Sequence, residues 1–174
     1  IAEDENAPVI EFKNVSFGYA DNGYALKNIS FSIERGQTVG IIGGTGSGKS
    51  TLVNLIPRFY DTSEGEVFVY GNDVKDYSFR QLRGNMGIVP QSATLFSGTI
   101  NDNMKWGKKD ATQAEIEKAL KISQSYEFVS KFPEKTDKII TAGGKNLSGG
   151  QRQRLTIARA LVSQPDILIL DDSA

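Results

Sequence analysis

The stretch Gly43-Gly-Thr-Gly-Ser-Gly-Lys-Ser50 decides the fold, because it fits the pattern G-x-x-x-x-G-K-[ST] of a phosphate-binding loop. Its glycines allow consecutive backbone N–H groups to point inward around an anion, and a following helix would present the positive end of its dipole. Residues 38–42 predict a short apolar strand before the loop, and residues 50–59 predict a helix after it. This strand–loop–helix context favours a phosphate-binding loop over a flexible glycine linker.

The residue types of this loop predict how it would bind a nucleotide and its metal ion. The Lys49 ammonium would reach the β and γ phosphates, and the Ser50 hydroxyl would be a ligand of Mg²⁺. The expected ligands are therefore a nucleoside polyphosphate and Mg²⁺, and the loop alone does not separate kinases, GTPases, motor ATPases and transport ATPases. The predicted nucleotide-binding residues of the loop are Gly43, Gly44, Thr45, Gly46, Ser47, Gly48, Lys49, Ser50 and Thr51.

The composition excludes several kinds of chemistry. The 174 residues include no cysteine and no histidine, so this sequence holds no disulfide framework, no Cys/His zinc site and no thiol or imidazole catalyst. Its 20 basic and 21 acidic side chains give a net charge of −1, which argues against a domain that mainly coats nucleic acid. The longest apolar runs are four residues, far short of the ~20 that span a bilayer.

Periodicity predicts the other strands and helices. Alternating apolar residues around Ile10 and Ile29 predict antiparallel strands with one solvated face. Thr112 and Glu115 have the spacing of a helix capping box. Further strands are predicted at residues 66–70, 86–89 and 166–170, and helices at residues 78–83, 99–132 and 151–162.

This order of elements predicts an α/β fold. We expect a P-loop NTPase core, a mixed sheet around the helix of the phosphate-binding loop, with an N-terminal antiparallel β-subdomain. An α-helical subdomain would be inserted at about residues 92–160. Residues 1–8 are expected to be a linker, and residues 9–174 the ATP-binding domain.

A second motif, Leu147-Ser-Gly-Gly-Gln151, separates this sequence from other proteins with phosphate-binding loops. Together with the loop it resembles the nucleotide-binding domain of ABC transporters, whose signature motif reads LSGGQ. An ordinary helix start capped by Ser148 would explain the helix, but not Gly149 and Gly150, which weaken a first turn unless something must approach closely. The resemblance implies that Ser148, Gly149, Gly150 and Gln151 bind the γ-phosphate of an ATP held by an opposing domain, so that two domains close head to tail.

Three other positions match the family residue by residue. Tyr19 resembles the aromatic residue that stacks on adenine, although a strand residue covering the core is the alternative. Gln91 resembles the glutamine that contacts Mg²⁺ and the attacking water; otherwise it is a polar turn residue. Asp171, at the carboxyl end of an apolar strand, matches the Walker B aspartate that binds Mg²⁺. The predicted metal ligands are thus Ser50, Gln91 and Asp171.

Residues 92–103 resemble the exporter subtype of the family, in which this segment receives a coupling helix of the transmembrane domain. Helical core packing is the alternative for its apolar residues Leu95, Phe96 and Ile100. The resemblance implies a transmembrane domain in the same chain, a second nucleotide-binding domain as partner, and a location at the cytoplasmic face of the bacterial cell membrane. It implies no nucleic-acid partner.

One catalytic position departs from the family pattern. A glutamate that polarises the attacking water is expected after Asp171, but this sequence has Asp172. Its side chain is one methylene shorter, about 1.5 Å, and a misplacement of about 1 Å can lower a rate by about 10²-fold. With Gln91 and Lys49 as the other catalytic residues, we expect this site to bind ATP well and hydrolyse it poorly. An intact signature beside an impaired Walker B is typical of one half of a heterodimeric exporter.

Two functions of other classes stay open beside an exporter ATPase. One is a soluble ABC-type ATPase that acts on DNA or the ribosome, which the sequence disfavours because it has no zinc-binding cysteines, long heptads or basic stripe. The other is a regulatory ATP switch without turnover, which Asp172 favours for one site. Family members continue beyond the Walker B strand to a switch histidine. We therefore expect the chain to be truncated after Ala174 and nearly inactive alone as an ATPase.

Overall fold

The structure, a computed structural model, describes residues 1–18, 23–43 and 48–171. The chain divides into two compact units, Ile1–Gly84 and Asn85–Ala174. Among the described residues, no helix is long and apolar enough to cross a membrane. The α/β class, with an antiparallel β part and a helical part, is confirmed, whereas the boundaries of the domain and its helical subdomain stay predictions.

The first unit contains one antiparallel sheet, as the alternating residues predict. Its order is β2-β1-β3-β4, with β1 at Ile10–Gly18, β2 at Tyr24–Ile33, β3 at Glu64–Val69 and β4 at Asn72–Asp73. In β1 the buried apolar residues change from even to odd numbers between Phe12 and Val15, where the pairing register shifts. Asn14 has a left-handed φ of 50° there. This irregularity keeps the apolar residues on both sides of it buried.

The N-terminal residues lie against a tight hairpin of this sheet. Tyr70 and Gly71 join β3 to β4 with φ angles of 47° and 80°, the two left-handed residues of a turn whose twist suits paired strands. The Asp4 N–H donates to the Tyr70 carbonyl at 3.0 Å, and the Asn72 side chain donates to the Ala2 carbonyl at 2.7 Å. The segment predicted to be a linker is therefore hydrogen-bonded to the first unit.

Two helices and a 3₁₀ turn complete the first unit, and two sequence predictions need correction there. The helices are α1 (Lys49–Leu55) and α2 (Phe79–Gly84), and the turn is Val74–Asp76. The helix predicted over 50–59 ends at Leu55, because Pro57 has no N–H to continue the ladder and Arg58 has a left-handed φ of 59°. The strand predicted at 38–42 is wrong: Ile42 is 98% exposed, and no described strand pairs with the segment. An apolar run supplies strand preference, but a strand needs a neighbour for its backbone groups.

In its described residues, 85–171, the second unit combines short strands with four helices. The strands β5 (Met86–Val89) and β8 (Ile167–Leu170) are parallel, and β6 (Gly98–Thr99) pairs antiparallel with β7 (Ile139–Ile140). The helices are α3 (Ile100–Met104), α4 (Gln113–Ile122), α5 (Tyr126–Lys131) and α6 (Gly149–Leu161). Two 3₁₀ turns lie at Lys135–Asp137 and Ala142–Gly144.

The helices of this unit pack around one apolar core. Ile116 and Leu120, on one face of α4, are buried as their four-residue spacing predicts, and Leu155 and Ala158 of α6 lie in the same core. The capping box of Thr112 and Glu115 is confirmed. The predicted buried strand at 166–170 is only half right: Ile167 and Ile169 are buried, but Leu168 and Leu170 are 38% and 44% exposed. Only alternate residues of β8 are buried, since side chains alternate along a strand.

Candidate functional site

The fold requires a glycine at position 48, where the description of the phosphate-binding loop resumes. Gly48 precedes α1 with a left-handed φ of 89°, and a Cβ there would lie 2.8 Å from the Ala25 carbonyl oxygen and 2.9 Å from a Leu26 methyl carbon. No other residue type fits this space and this φ without strain. Gly48 therefore allows α1 to begin directly against β2.

The residues after Gly48 divide between the core and the surface. Thr51 is buried with the apolar residues of α1, whereas Lys49 and Ser50 are half-buried at its first turn. Gly43, the first residue of the loop, is half-buried. The predicted residues Gly44, Thr45, Gly46 and Ser47, with Tyr19 and Asp172, lie outside the described residues.

Two predicted site residues follow the two parallel strands of the second unit. Val89 and Leu170 are paired at the carboxyl ends of β5 and β8, and the Asp171 N–H donates to the Val89 carbonyl at 3.0 Å. Gln91 follows two residues after Val89 and is exposed, while Asp171 is half-buried. Parallel strands bring the residues after them to one edge of the sheet, where α/β proteins bind ligands. Gln91 and Asp171 thus share that edge.

The LSGGQ residues form the start of α6. The Ser148 hydroxyl accepts from the Gln151 N–H at 3.1 Å, and the Gln151 side-chain oxygen accepts from the Ser148 N–H at 3.1 Å, which is a complete capping box. Leu147 is buried in the core. The glycines differ: a Cβ at Gly149 would meet nothing closer than 3.8 Å, and one at Gly150 only the Arg154 guanidinium at 3.3 Å. Packing among the described residues therefore requires neither glycine.

One cleft brings two of the predicted groups together. It has a volume of about 280 Å³ and is lined by residues after β5, including Gln91, and by Gly149, Arg152 and Gln153 of α6. Residues 43 and 48–51 belong to the other unit, as the division of the chain shows. Among the described residues, no group of three or more acidic side chains could hold a metal ion.

A second groove, of about 290 Å³, contains functional candidates that sequence reasoning missed. Trp106 is 69% exposed, and its ring lies 4.8 Å from that of Phe96. The Arg159 guanidinium lies 5.2 Å from the Phe96 ring. Its Nη1 is buried and has no hydrogen-bond partner among the described residues, and burial lowers the pKa of Arg159. An exposed tryptophan in an otherwise polar run, 105–109, was the available signal.

A buried asparagine holds the Phe96 side of this groove. Asn103 is 1% exposed. Its side-chain NH₂ donates to the Phe96 and Thr99 carbonyls at 2.9 and 3.0 Å, and its oxygen accepts from the Phe96 N–H at 2.9 Å. Of the predicted apolar residues in 92–103, Leu95 and Ile100 belong to the core, whereas Phe96 is 43% exposed. The packing alternative is therefore right for Leu95 and Ile100 and does not account for Phe96.

The fold and these motifs define an α/β domain of the nucleotide-binding class, and comparison with known proteins identifies its family. A family model described as ABC transporter matches residues 26–174, and the chain belongs to this family. It is an ABC transporter ATP-binding domain.

Relatives and solved structures agree with this assignment. The chain is 48% identical over 165 residues to the ABC transporter ATP-binding protein YfiB of Bacillus subtilis, covering 94% of this chain and 29% of that protein. It is 45% identical over 174 residues to the putative multidrug export ATP-binding/permease protein YgaD of the same organism, covering 99% and 30%. A bacterial Atm1-family ABC exporter with ATP bound has a TM-score of 0.85 and 38% identity, covering 99% of this chain and 32% of that one. The chain thus spans about a third of the length of these proteins.

Proposed function

We propose that this chain is the part of an ABC exporter that binds and hydrolyses ATP and thereby powers export across a membrane. The observation that carries the proposal is the pair Gly149 and Gly150, for which packing among the described residues gives no reason. Each glycine weakens the first turn of α6 relative to alanine. A ligand or partner backbone that must approach this turn closely would account for both.

The described residues fit ATP and Mg²⁺. Gly48 has the left-handed φ and the close approach to β2 that its place in the loop demands. Lys49 and Ser50 stand in the first turn of α1, where an ammonium would bind phosphate oxygens and a hydroxyl would complete the metal's oxygen ligands. Gln91 and Asp171 share the ligand-binding edge of the parallel strands. Bound Mg²⁺ would neutralise charge on the β and γ phosphates.

The residues of this chain would contact two different ATP molecules, one bound by this chain and one bound by an opposing domain. Lys49 would bind the phosphates, Tyr19 would cover the adenine, and Gln91 would orient water. Ser148 and Gln151 cap α6 by hydrogen-bonding to each other. This cap fixes the first turn, with its two glycines, in a conformation that the ATP of an opposing domain would contact. Two such domains would close head to tail around two nucleotides.

The exporter subtype rests on the relatives and on the second groove. One relative's name describes multidrug export, and the solved relative is an exporter. The exposed pair Phe96 and Trp106 beside Arg159 offers an apolar surface with one poorly hydrated cation, a type of surface that marks interaction sites. We propose that a transmembrane domain docks there, with this domain at the cytoplasmic face of the membrane.

Asp172 supports a heterodimer as the form of the transporter. In a head-to-tail pair, the LSGGQ motif of this chain would contact the ATP that the partner binds, whereas Asp172 would act on the ATP that this chain binds. The partner would then supply a glutamate for the competent site. The sequence of the neighbouring subunit is the observation that would identify such a partner.

The test of the proposed function is ATP binding by a Lys49→Ala variant, measured by calorimetry with Mg²⁺ present. The loss of charged hydrogen bonds should weaken ATP binding by about tenfold or more. Lys27→Ala, at an exposed lysine of β2, is the matched control and should bind like the unmodified chain. Equal affinity of the Lys49→Ala variant and the unmodified chain would refute the assignment of the phosphate-binding loop.

A further inference from the structure

The side chain of Arg154 connects the LSGGQ turn to another turn of the second unit. Its Nε donates to the Gly150 carbonyl, one helical turn earlier in α6, at 3.2 Å. Its Nη1 donates to the Gln124 carbonyl, between α4 and α5, at 3.4 Å. The guanidinium also lies 5.6 Å from the Phe128 ring of α5. One planar group therefore ties the start of α6 to the turn that joins α4 and α5.

The turn between α4 and α5 is a fixed anchor. The Ser125 N–H donates to the Leu120 carbonyl at 2.7 Å. The Ser123 hydroxyl donates to the same carbonyl at 3.1 Å and is hydrogen-bonded to the Ser125 hydroxyl at 2.8 Å. Both serines are buried, so these hydrogen bonds are shielded from water. They hold Gln124 in its left-handed conformation, with a φ of 63°, and so give its carbonyl a defined position.

Arg154 supports the glycine turn from its carbonyl side. The first N–H groups of a helix have no partner within the helix and point away from its body, whereas the carbonyls point towards its C-terminus. Arg154 binds the Gly150 carbonyl, and a Cβ at Gly150 would lie 3.3 Å from the Arg154 Nη2. The guanidinium thus lies beside Gly150 and leaves the N–H side of the turn to an incoming phosphate.

We propose that Arg154 is a positioning residue for the LSGGQ turn, an inference that rests on the proposed function. The capping bonds of Ser148 and Gln151 hold the two ends of the turn, and glycine has more backbone freedom than any other residue. Arg154 would hold the peptide group after Gly150 in the conformation that the ATP of an opposing domain contacts. A turn that is ordered before ATP arrives loses less conformational entropy on binding.

These contacts are better suited to positioning than to stabilising the fold. Arg154 is exposed, and both of its hydrogen bonds lie at the surface, where polar contacts contribute little to folding free energy. Leu155 and Ala158 hold α6 in the core. Loss of the guanidinium should therefore leave the helix in place and loosen only its first turn.

Amide hydrogen exchange without nucleotide tests the effect on the turn itself. The Gln151 N–H donates to the Ser148 hydroxyl at 3.1 Å and the Arg152 N–H to the Ser148 carbonyl at 2.9 Å, so exchange of these two amides reports on the first turn. Arg154→Met keeps the length of the side chain but removes its donors and its charge. Both amides should then exchange about threefold faster or more, as one lost hydrogen bond implies, while the melting temperature stays unchanged.

Dimerisation driven by Mg²⁺–ATP tests the effect on the ATP of an opposing domain. Light scattering should show about tenfold weaker dimerisation of Arg154→Met, because ordering about one backbone residue on binding costs that much. The affinity of the chain's own site for ATP should stay unchanged, since Lys49 and Ser50 belong to the other unit. Arg80→Met, at an exposed arginine of α2, is the matched control and should change neither amide exchange nor dimerisation.

Arg154→Lys separates the hold on Gly150 from the effect of a positive charge near phosphates. It keeps the charge but replaces the rigid fork of donors by a single ammonium, so its amide exchange and its dimerisation should both fall between those of Arg154→Met and the unmodified chain. If Arg154→Lys restored dimerisation without restoring amide protection, the charge would be the cause and the positioning role would be overturned. Unchanged amide exchange in Arg154→Met would overturn it as well, and so would a joint fall in the melting temperature and the ATP affinity of that variant.

Gly149→Ala separates this inference from the proposed function. If Gly149→Ala dimerises with Mg²⁺–ATP as the unmodified chain does, the contact between the LSGGQ turn and the ATP of an opposing domain is itself wrong. If Gly149→Ala loses dimerisation but Arg154→Met keeps it, the positioning role is overturned and that contact stands.

Discussion

Ser148 and Gln151 hydrogen-bond to each other's backbone N–H groups, both at 3.1 Å. Two residues of the LSGGQ motif therefore have a complete local explanation in the capping of α6. The two glycines between them do not, because a side chain at either position would meet little in this chain. The motif thus consists of a rigid cap and an uncovered turn.

Gly149→Ala should have opposite effects on folding and on assembly. Alanine is favoured over glycine in a helix by up to about 1 kcal/mol, so the free energy of unfolding of the isolated chain should rise slightly in urea titrations. The added methyl group would occupy the space where a partner's ATP must approach. Dimerisation driven by Mg²⁺–ATP, measured by light scattering, should therefore be lost.

Gly107→Ala is the matched control for that substitution. A Cβ at Gly107 would overlap the Arg159 carbonyl oxygen, so this variant should be less stable than the unmodified chain. The interpretation of the LSGGQ glycines would be contradicted if Gly149→Ala destabilised the chain as Gly107→Ala does. It would equally be contradicted if Gly149→Ala dimerised normally with ATP.

Asn103→Asp should destabilise the second unit although it changes one atom. The substitution removes the NH₂ group that donates to the Phe96 and Thr99 carbonyls and leaves a buried carboxylate against both. Unsatisfied buried groups cost about 1–3 kcal/mol, and charged ones more. Urea unfolding at pH 7 should show a loss of about 3 kcal/mol.

The control for Asn103→Asp is Asn85→Asp, at an exposed asparagine of the same unit. It should change the free energy of unfolding by less than about 0.5 kcal/mol, as surface substitutions usually do. Similar stability of the two variants would mean that the three hydrogen bonds of Asn103 do not hold the Phe96 segment.

Local patterns predicted most of the fold. The antiparallel strands, the helix at Thr112, the β5 strand and the start of α6 each depend on neighbours in sequence, such as the residues of a capping box or the alternation along a strand. The motifs also identified the family, because glycine and lysine spacing is itself local. Gln91 and Asp171 could be placed at one sheet edge because parallel strands align their ends.

Features that depend on one particular contact, and not on a repeated local pattern, could not be predicted. Asn103 has polar contacts that involve Phe96, and nothing near it in sequence distinguishes it from a solvated helix residue. The change from even-numbered to odd-numbered buried apolar residues around Asn14 depends on the pairing of β1 with β2 and β3. Ser63 and Glu64 are hydrogen-bonded to Gly18 and Tyr24 across 45 and 40 residues of sequence. Residues 38–42 were predicted to form a strand because their apolar composition favours strand conformation. Composition does not indicate whether a neighbouring strand is present for pairing.

Glu115 should make the stability of the chain depend on pH in the acid range. The hydrogen bond from the Lys108 ammonium, followed by that from the Thr112 N–H, lowers the pKa of Glu115 from 4.5 to about 2. A carboxyl whose pKa is lower in the folded state stabilises the fold above its unfolded pKa, and this contribution disappears as the pH falls through the folded pKa. The stability difference between the unmodified chain and Glu115→Gln should thus be constant above about pH 4.5 and shrink towards pH 2.

Unfolding in urea at a series of pH values measures that difference directly. Glu117→Gln, on the same helix but outside the capping box, removes the same charge and should show a smaller and flatter difference. A Glu115→Gln difference that stayed constant down to pH 2 would contradict the ion pair with Lys108 and its role in the cap.

Asp172→Glu should increase ATP turnover by the assembled transporter. Asp171 is held at the end of β8 by its hydrogen bond to Val89. Asp172 itself lies outside the described residues, so the prediction depends only on the length of its side chain. One added methylene extends the carboxylate by about 1.5 Å, and restoring such a misplacement can raise a rate by about 10²-fold. ATP affinity should not change, because Lys49 and Ser50 would bind the phosphates.

Asp166→Glu, before the same strand, is the control for the added methylene and should leave turnover unchanged. Phosphate release is measured with the partner subunit present and, separately, with this subunit alone. If Asp172→Glu left turnover unchanged in both, the shorter side chain would not be what limits hydrolysis. If this subunit alone already hydrolysed ATP as fast as the assembled transporter carrying Asp172→Glu, it would need no partner glutamate, and the heterodimer proposal would fall while ATP binding at Lys49 stood.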